Sequence, residues 1–581
     1  MAKSSNAEIA DLLRSVAAAL VLEGANAFQA KAYDNAATSI EHLTADLKDV
    51  WKDGKLDDVP GVGKGLQEHL DEYFKTGHSK HLETILKPYP PVLFEMLKIP
   101  GVGPRTALEL TKLGIKSLPE LEKELKNGQL VKKGFSSKNA EKILLSMQEK
   151  PSNEGRMLLP VASELANQIL ENIKKAPGVK EADPLGSLRR RVVTIGDLDF
   201  AASTTEPDKT LDYFTKLAEV SRVVEKGEFG ATVMLKNGIH VDLLVGLPES
   251  YGALLQHFTG SKQHNIHLRT LAEKKGLSLS EAGVKNTKTG KIKPCKTEKE
   301  LYDMMDMDTP EPEIREDTGE IEAAIAHKLP KLIEYDALIG DLHTHSNYPL
   351  DHPSHGPGVN SIAEMVKEAE RLGYKFIGIS DHPPAAGKHS QSEIVEIVAK
   401  RTKVIQKIVE STKSIQVLNG LEIDINGDGT LSVPDEALKT LDYVIAGIHS
   451  GHRQTSKEDM TKRILKALEN PYVDIISHPT GRLLNRRPSF DADWDAIFKY
   501  CAEHDKLLEI NAFPDRLDLR DDLVRRALEF GVKFVINSDA HAVEQMKNLP
   551  FGVSVARRGW AESKDIVNSW EWKKFKEWFK L

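Results

Sequence analysis

The spacing of apolar and polar positions changes along this chain, and the changes divide it. Over the first 150 residues apolar positions recur at helical spacing, for example in 66–74 and 106–113. Each of those runs follows a near-identical turn, Val59-Pro-Gly-Val-Gly-Lys64 and Ile99-Pro-Gly-Val-Gly-Pro104. Next come short β-rich runs, and 231–246 breaks at Asn237-Gly238, the signature of a tight hairpin. From 337 onward, apolar strands (337–340, 376–379, 417–421, 444–448, 473–476, 507–510, 534–536) alternate with amphipathic helices (362–372, 393–409, 457–469, 494–503, 523–530). Such alternation implies parallel strands, and a closed barrel of that kind gathers polar residues at its strand carboxyl ends. The last stretch, SWEWKKFKEWFKL, reads as a helix that docks Trp572, Phe575 and Phe579 onto that barrel.

Composition narrows the class. A chain of 581 residues implies three or more compact units, and 40% hydrophobic with 29% charged residues indicates a globular protein rather than a disordered one. The net charge of −8 is unhelpful for gripping a polyanion, so local basic stretches, 189–191 and 285–296, would have to carry that work. Lys132, Lys133 and Lys138 read instead as a solvated helix face. Two cysteines, Cys295 and Cys501, give no disulfide framework and fit a reducing cytoplasm. The apolar patch 16–22, closed by Glu23, reads as part of an amphipathic helix rather than a leader. No run reaches the roughly 20 apolar residues that span a bilayer. A soluble cytoplasmic monomer without membrane contact is expected.

Candidate chemistry falls in two regions. In 186–200, GSLRRRVVTIGDLDF, Asp197 and Asp199 sit two apart, a spacing that on a strand turns both to one face about 7 Å apart. With Asp242 on the strand after the hairpin, they could hold two Mg²⁺ ions roughly 3.5–4 Å apart, the clamp of an in-line phosphoryl displacement. Gly186, Ser187 and Arg190 beside them offer the amides, hydroxyl and guanidinium a polyphosphate needs. In the second region DLHTH (341–345), SDH (380–382), GLEID (420–424), GIHS (447–450), ISHP (476–479) and NSDAH (537–541) each close an apolar run. Repeated His, Asp and Glu at strand ends is hard to obtain from packing alone. Mixed imidazole and carboxylate suits Mn²⁺, Zn²⁺ or Fe²⁺.

Gly186-Ser187-x-Arg189-Arg190 with Gly196-Asp197-x-Asp199 and Asp242 resembles the palm signature of family X DNA polymerases, and 258–261 with Asn265 and Arg269 resembles that family's thumb. The resemblance implies that Asp197, Asp199 and Asp242 hold two Mg²⁺ or Mn²⁺ ions, with Asp242 helping to activate the primer 3′-hydroxyl. It assigns Gly186, Ser187, Arg190 and Gly196 to the triphosphate, and His257, Phe258, Gly260, Asn265 and Arg269 to the rest of the nucleotide pocket. The two amino-terminal turns resemble helix-hairpin-helix elements, with Gly61, Gly63, Lys64, Gly101, Gly103 and Arg105 gripping DNA backbone. The carboxyl-terminal motifs resemble the polymerase and histidinol phosphatase (PHP) domain, a distorted seven-stranded barrel. That likeness implies up to three ions on His343, His345, Asp351, His382, Glu422, His449, His478, Asp539 and His541, with His352 and His355 as competitors for the place of Asp351.

The fold class is therefore multidomain α/β: a helical unit with the first hairpin at 1–87, a second at 88–150, a mixed-sheet nucleotidyltransferase palm at 151–245, a thumb at 246–316, a linker at 317–334 and the barrel at 335–581. The implied function is gap-filling DNA synthesis in repair from deoxynucleoside triphosphates, joined to a metal-dependent 3′–5′ exonuclease or 3′-end-processing phosphoesterase. Two rivals are a phosphatase for a small phosphomonoester tethered to DNA, and a non-catalytic DNA end-binding scaffold. Two departures stand out. Animal repair members carry a Schiff-base lysine where this chain has His69, which cannot form an imine, leaving Lys31 and Lys64 as substitutes. His257 stands where those relatives have a tyrosine associated with sugar selection.

Overall fold

The computed structural model describes residues 6–581 apart from 25–26, 42–46, 53, 60, 100–101, 149–155, 353–355 and 453–455. The chain divides into two compact units, 1–154 with 234–239, and 155–233 with 240–581.

In the first unit, helices Asn6–Glu23, Ala27–Glu41, Lys64–Thr76 and Lys80–Leu86 bury Leu13, Leu20, Ile40, Leu70 and Leu82 together. Helices Pro91–Met96, Pro104–Lys112 and Leu118–Lys126 share a second core around Leu93, Leu110 and Leu121. The repeated turns share one backbone hydrogen bond. The Val62 amide donates to the Val59 carbonyl and the Val102 amide to the Ile99 carbonyl, both at 3.0 Å. These four aliphatic side chains are buried, which pins each turn to its core. Gly63 and Gly103 start the following helices, and a Cβ on either would meet nothing within 4 Å. Gly61 has φ +81°, a conformation that only glycine adopts without strain. Gly101 lies outside the described residues.

The second unit begins with a five-stranded mixed sheet ordered Val179–Pro184, Leu198–Thr204, His240–Gly246, Gly230–Leu235, Val220–Lys226. Strands Leu198–Thr204 and His240–Gly246 run parallel, while Val179–Pro184 is antiparallel to the first of them. The expected hairpin turn is present, with Gly238 at φ +81° between strands Gly230–Leu235 and His240–Gly246. Helices Tyr251–Thr259 and Lys262–Lys274 follow, then the antiparallel strands Leu277–Ser280, Gly283–Asn286 and Ile292–Lys293.

From Gly340 seven parallel strands follow in chain order: Gly340–Asp341, Phe376–Ile379, Gln416–Asp424, Tyr443–Gly447, Ile475–Ile476, Leu507–Asn511 and Lys533–Asn537. A parallel bridge between Thr344 and Ala540 links the last strand's end to the first and nearly closes the barrel. Its outer helices start where the sequence carries capping boxes, Ser361 with Glu364 and Ser390 with Glu393. The second box begins its helix at Gln391, two residues before the hydrophobic periodicity places it. The carboxyl-terminal helix Trp572–Phe579 closes the barrel core: Phe575 is fully buried and its ring centroid lies 4.2 Å from that of Phe376. Among the described residues no helix is long and apolar enough to cross a membrane.

Candidate active sites

In the palm, strand pairing sets Asp199 directly opposite Asp242. Asp197 does not share that strand. Gly196 and Asp197 form the bend between Thr194–Ile195 and Leu198–Thr204, so the first carboxylate approaches from the bend rather than from an alternating strand face. Gly186, at φ +53°, opens a one-turn helix, Gly186–Arg189, against Asp199. A Cβ on Gly186 would fall 2.5 Å from Asp199 Oδ2, so glycine lets this turn approach the carboxylate. Burial first, then the charges of Asp197 and Asp242, push the Asp199 carboxyl up to about 7, with Arg190 opposing. Burial also raises Asp242, whose Oδ1 accepts a hydrogen bond from Thr232. Half-buried carboxylates that destabilise one another's charge form a donor set that suits divalent cations.

The arginines beside this site are not an open basic patch. Arg189 pairs with Glu298 at 2.7 Å, and Arg190, 8% exposed, pairs with Glu316 at 3.0 Å and donates to the Thr259 carbonyl at 2.6 Å. The reason lies in burial: guanidinium groups at a domain junction need carboxylate partners. A Cβ on Gly260 would lie 3.2 Å from Arg190 Nη1, so the thumb turn lies against this arginine. Ser187 is buried in the one-turn helix Gly186–Arg189. Farther out, Asn265 donates to the His257 carbonyl at 2.7 Å and accepts from Gln256 at 2.7 Å, while Arg269 reaches the His257 ring at 3.3 Å. His257 and Phe258 lie with ring centroids 4.7 Å apart.

In the barrel, Glu422 is the hub. Its oxygens lie 2.8 Å from His478 Nε2, 3.2 Å from His449 Nε2, 3.2 Å from His382 Nδ1 and 3.3 Å from His343 Nε2. Among the described residues three sets bring ligand atoms within 4.8 Å of one another, and all three lie here: His345, His382 and His541; His343, His345 and Asp539; Glu422, His449 and His478. His478 (φ +28°) and Asp539 (φ +55°) hold left-handed backbone, uncommon outside glycine. Gly447 leaves room for the hub, since a Cβ there would stand 3.1 Å from Glu422 Oε1. Nε2 of His343 and of His345 are buried without a hydrogen-bond partner and both face Asp539, at 3.5 and 3.3 Å, an arrangement that suits metal-ligating imidazoles.

Asp351 joins none of these sets. It is 45% exposed and 3.0 Å from His389 Nε2, because the proline-rich loop turns it to solvent. The next residue, His352, points inward, with its ring 5.2 Å from that of His382 and Nε2 3.0 Å from Asp424. His355 lies outside the described residues.

Comparison with known proteins shows the family. Family profiles match a helix-hairpin-helix domain at residues 4–79, a SAM-like helix-hairpin-helix tandem at 94–149, a DNA polymerase beta thumb at 254–316 and a PHP domain at 341–513. The DNA polymerase/3′-5′ exonuclease PolX of Bacillus subtilis (strain 168) is 34% identical over 567 residues, which cover 97% of this chain and 97% of that protein. The chain belongs to the family X DNA polymerases that carry a PHP domain. The barrel region by itself also matches smaller proteins. A probable phosphatase of Thermoanaerobacter sp. (strain X514) is 29% identical over 252 residues, 42% of this chain and 95% of that protein. Another, from Clostridium acetobutylicum, is 31% identical over 209 residues, 35% of this chain and 78% of that protein. Polymerases and PHP enzymes both depend on metal ions, and this family X polymerase has side-chain groups that could hold them.

Several barrel residues that matter lie outside the expected ligand set. Glu509, fully buried on strand Leu507–Asn511, accepts from His343 Nδ1 at 2.7 Å and from the His478 amide at 2.7 Å, so one carboxylate holds two residues of the candidate metal sets. Asp424 does the same for His449, at 2.6 Å from Nδ1. Burial alone would lower the His343 imidazole, but Glu509, Glu422 and Asp539 hold it well above the usual histidine range. Burial and the neighbouring His541 push His345 down to about 4. A glutamate inside the apolar run LLEIN was the signal for Glu509, since an acid buried in a barrel strand needs a partner.

Proposed function

We propose that this family X polymerase fills short gaps in DNA by nucleotidyl transfer at the palm and trims 3′ ends as a 3′–5′ exonuclease in the barrel. The observation that carries the first half is the placement of Asp199, opposite Asp242 and against the Gly186 turn. Asp197, Asp199 and Asp242 would hold two Mg²⁺ or Mn²⁺ ions, and the barrel histidines with Glu422 and Asp539 up to three of Mn²⁺, Zn²⁺ or Fe²⁺. When bound, such ions supply Lewis-acid stabilisation of charge developing on the phosphate.

The chain's own residues do the rest. Ser187, Arg190 and Gly196 receive the triphosphate and hold its α-phosphorus in line with the primer 3′-oxygen. Asp242 lies where that hydroxyl's proton leaves. His257, Phe258, Gly260, Asn265 and Arg269 line the sugar, the base and its template partner. Gly61, Gly63 and Lys64, with Gly101, Gly103 and Arg105, hold DNA backbone through helix amino termini without reading bases. In the barrel, Glu509 and Asp424 fix the orientation of His343 and His449, and Arg516, 3.3 Å from Asp539, offers a positive charge at the ligand set.

The barrel's likeness to probable phosphatases supports a second reading, hydrolysis of a small phosphomonoester. One assay separates the two: the rate on the 3′ end of primed DNA against the rate on p-nitrophenyl phosphate, both with Mn²⁺. A faster rate on DNA supports the exonuclease, and a faster rate on the small ester supports the phosphatase.

A further inference from the structure

The palm's phosphate-binding turn is gripped from the barrel. Arg558 ends barrel helix Leu549–Arg558 with its side chain only 5% exposed. Its Nη1 donates to the main-chain carbonyl of Arg190 at 2.9 Å and to Glu316 Oε1 at 3.0 Å, and its Nε donates to Asp521 Oδ2 at 2.7 Å. That same Glu316 oxygen accepts from Arg190 Nε at 3.0 Å. Arg190 is thus held at its backbone by Arg558 and at its head by a carboxylate that Arg558 shares. Burial alone would raise Glu316, but Arg190 and Arg558 hold it down to about 2, so the carboxylate stays charged.

We propose that Arg558 is a positioning residue for nucleotide binding, so that the barrel supplies part of the scaffold of the polymerase's triphosphate pocket. The inference rests on the reading of Arg190 as a triphosphate ligand. With Arg558 present, the charge of Glu316 is divided between two guanidinium groups and Arg190 keeps attraction to spare for phosphate. Without it, Glu316 faces Arg190 alone in a buried setting, where an ion pair strengthens as competitors are removed. Arg190 is then drawn to the carboxylate, its backbone loses a donor, and the incoming nucleotide binds less well.

Arg557 provides the control. It leaves the same helix and is 8% exposed, but it donates to Glu313 at 2.8 Å and to the Ile333 carbonyl at 2.8 Å rather than to Arg190 or Glu316. Single-nucleotide insertion on primed DNA would be measured for the full chain and for Arg190→Ala, Arg558→Ala, Arg558→Lys and Arg557→Ala, with barrel exonuclease activity read in parallel. Arg558→Ala is expected to raise the nucleotide KM about tenfold or more with kcat nearly unchanged, Arg558→Lys to recover part of it, and Arg557→Ala to leave it at the wild-type value. A wild-type KM in Arg558→Ala beside a raised KM in Arg190→Ala overturns the inference alone. An unchanged KM in Arg190→Ala overturns the reading beneath it. Equal losses of both activities in Arg558→Ala and Arg557→Ala would show that the junction only stabilises the fold, and that also overturns the inference.

Discussion

Asp199 and Asp242 face each other across adjacent parallel strands, with Asp197 entering from the bend beside them and Gly186 so close to Asp199 that no side chain fits between. In the absence of metal the arrangement is unfavourable for Asp199, because burial and then the charges of Asp197 and Asp242 disfavour its carboxylate. Asp199→Asn removes that repulsion and keeps the shape. The metal-free variant should melt at or above the wild-type temperature in a calorimetric scan at pH 8, and Mg²⁺ should stabilise the wild type more than the variant.

Glu509 touches no substrate in this account, yet it orients two histidines of the barrel. Glu509→Gln should lower exonuclease activity about 10–100-fold through weaker metal retention, and added Mn²⁺ should recover part of it. Primer extension should be unaffected. Metal content after dialysis, measured by plasma mass spectrometry, checks the cause.

The thumb holds His264 fully buried, 2.7 Å from Glu320 and 2.8 Å from the Tyr302 hydroxyl. Burial outweighs the attraction of Glu320, so its folded pKa lies below the unfolded value. The unfolded chain therefore binds that proton more readily. The contribution of His264 to stability is complete above about pH 6.5 and declines as pH falls through that value toward the folded pKa. Imidazole NMR of labelled protein should show His264 titrating below the ordinary histidine value, and a midpoint at or above that value would contradict this reading.

His69 sits against His81 with ring centroids 4.1 Å apart, and burial followed by His81 lowers its pKa. Borohydride should trap no imine at this position on DNA carrying a 5′ sugar-phosphate. Any adduct that does form should survive His69→Ala and disappear with Lys31→Ala or Lys64→Ala, as read by peptide mass mapping.

Much of this architecture was legible because apolar periodicity and function coincide. Six of the seven barrel strands end in His, Asp or Glu motifs, and eight of the nine residues expected as ligands fall in the three sets that could hold an ion. Legibility failed where a side chain's direction depends on irregular backbone. Asp351 and His352 are neighbours, and nothing in their order tells that the loop turns the first outward and the second inward. Arg189 and Arg190 read as an open basic run because their partners, Glu298 and Glu316, lie more than a hundred positions away. Sequence spacing also placed Asp197 and Asp199 on one strand, whereas Gly196 lets the chain bend between short strands and leaves Asp197 ahead of the second.

The most direct test of two separate metal-dependent centres in one chain is a paired assay on DNA with a one-nucleotide gap, comparing Asp199→Asn with Glu422→Gln. Asp199→Asn should lose gap filling by about a thousandfold or more and keep 3′–5′ degradation, and Glu422→Gln should do the reverse. Loss of both activities in either variant, with the fold intact by circular dichroism, would contradict the account.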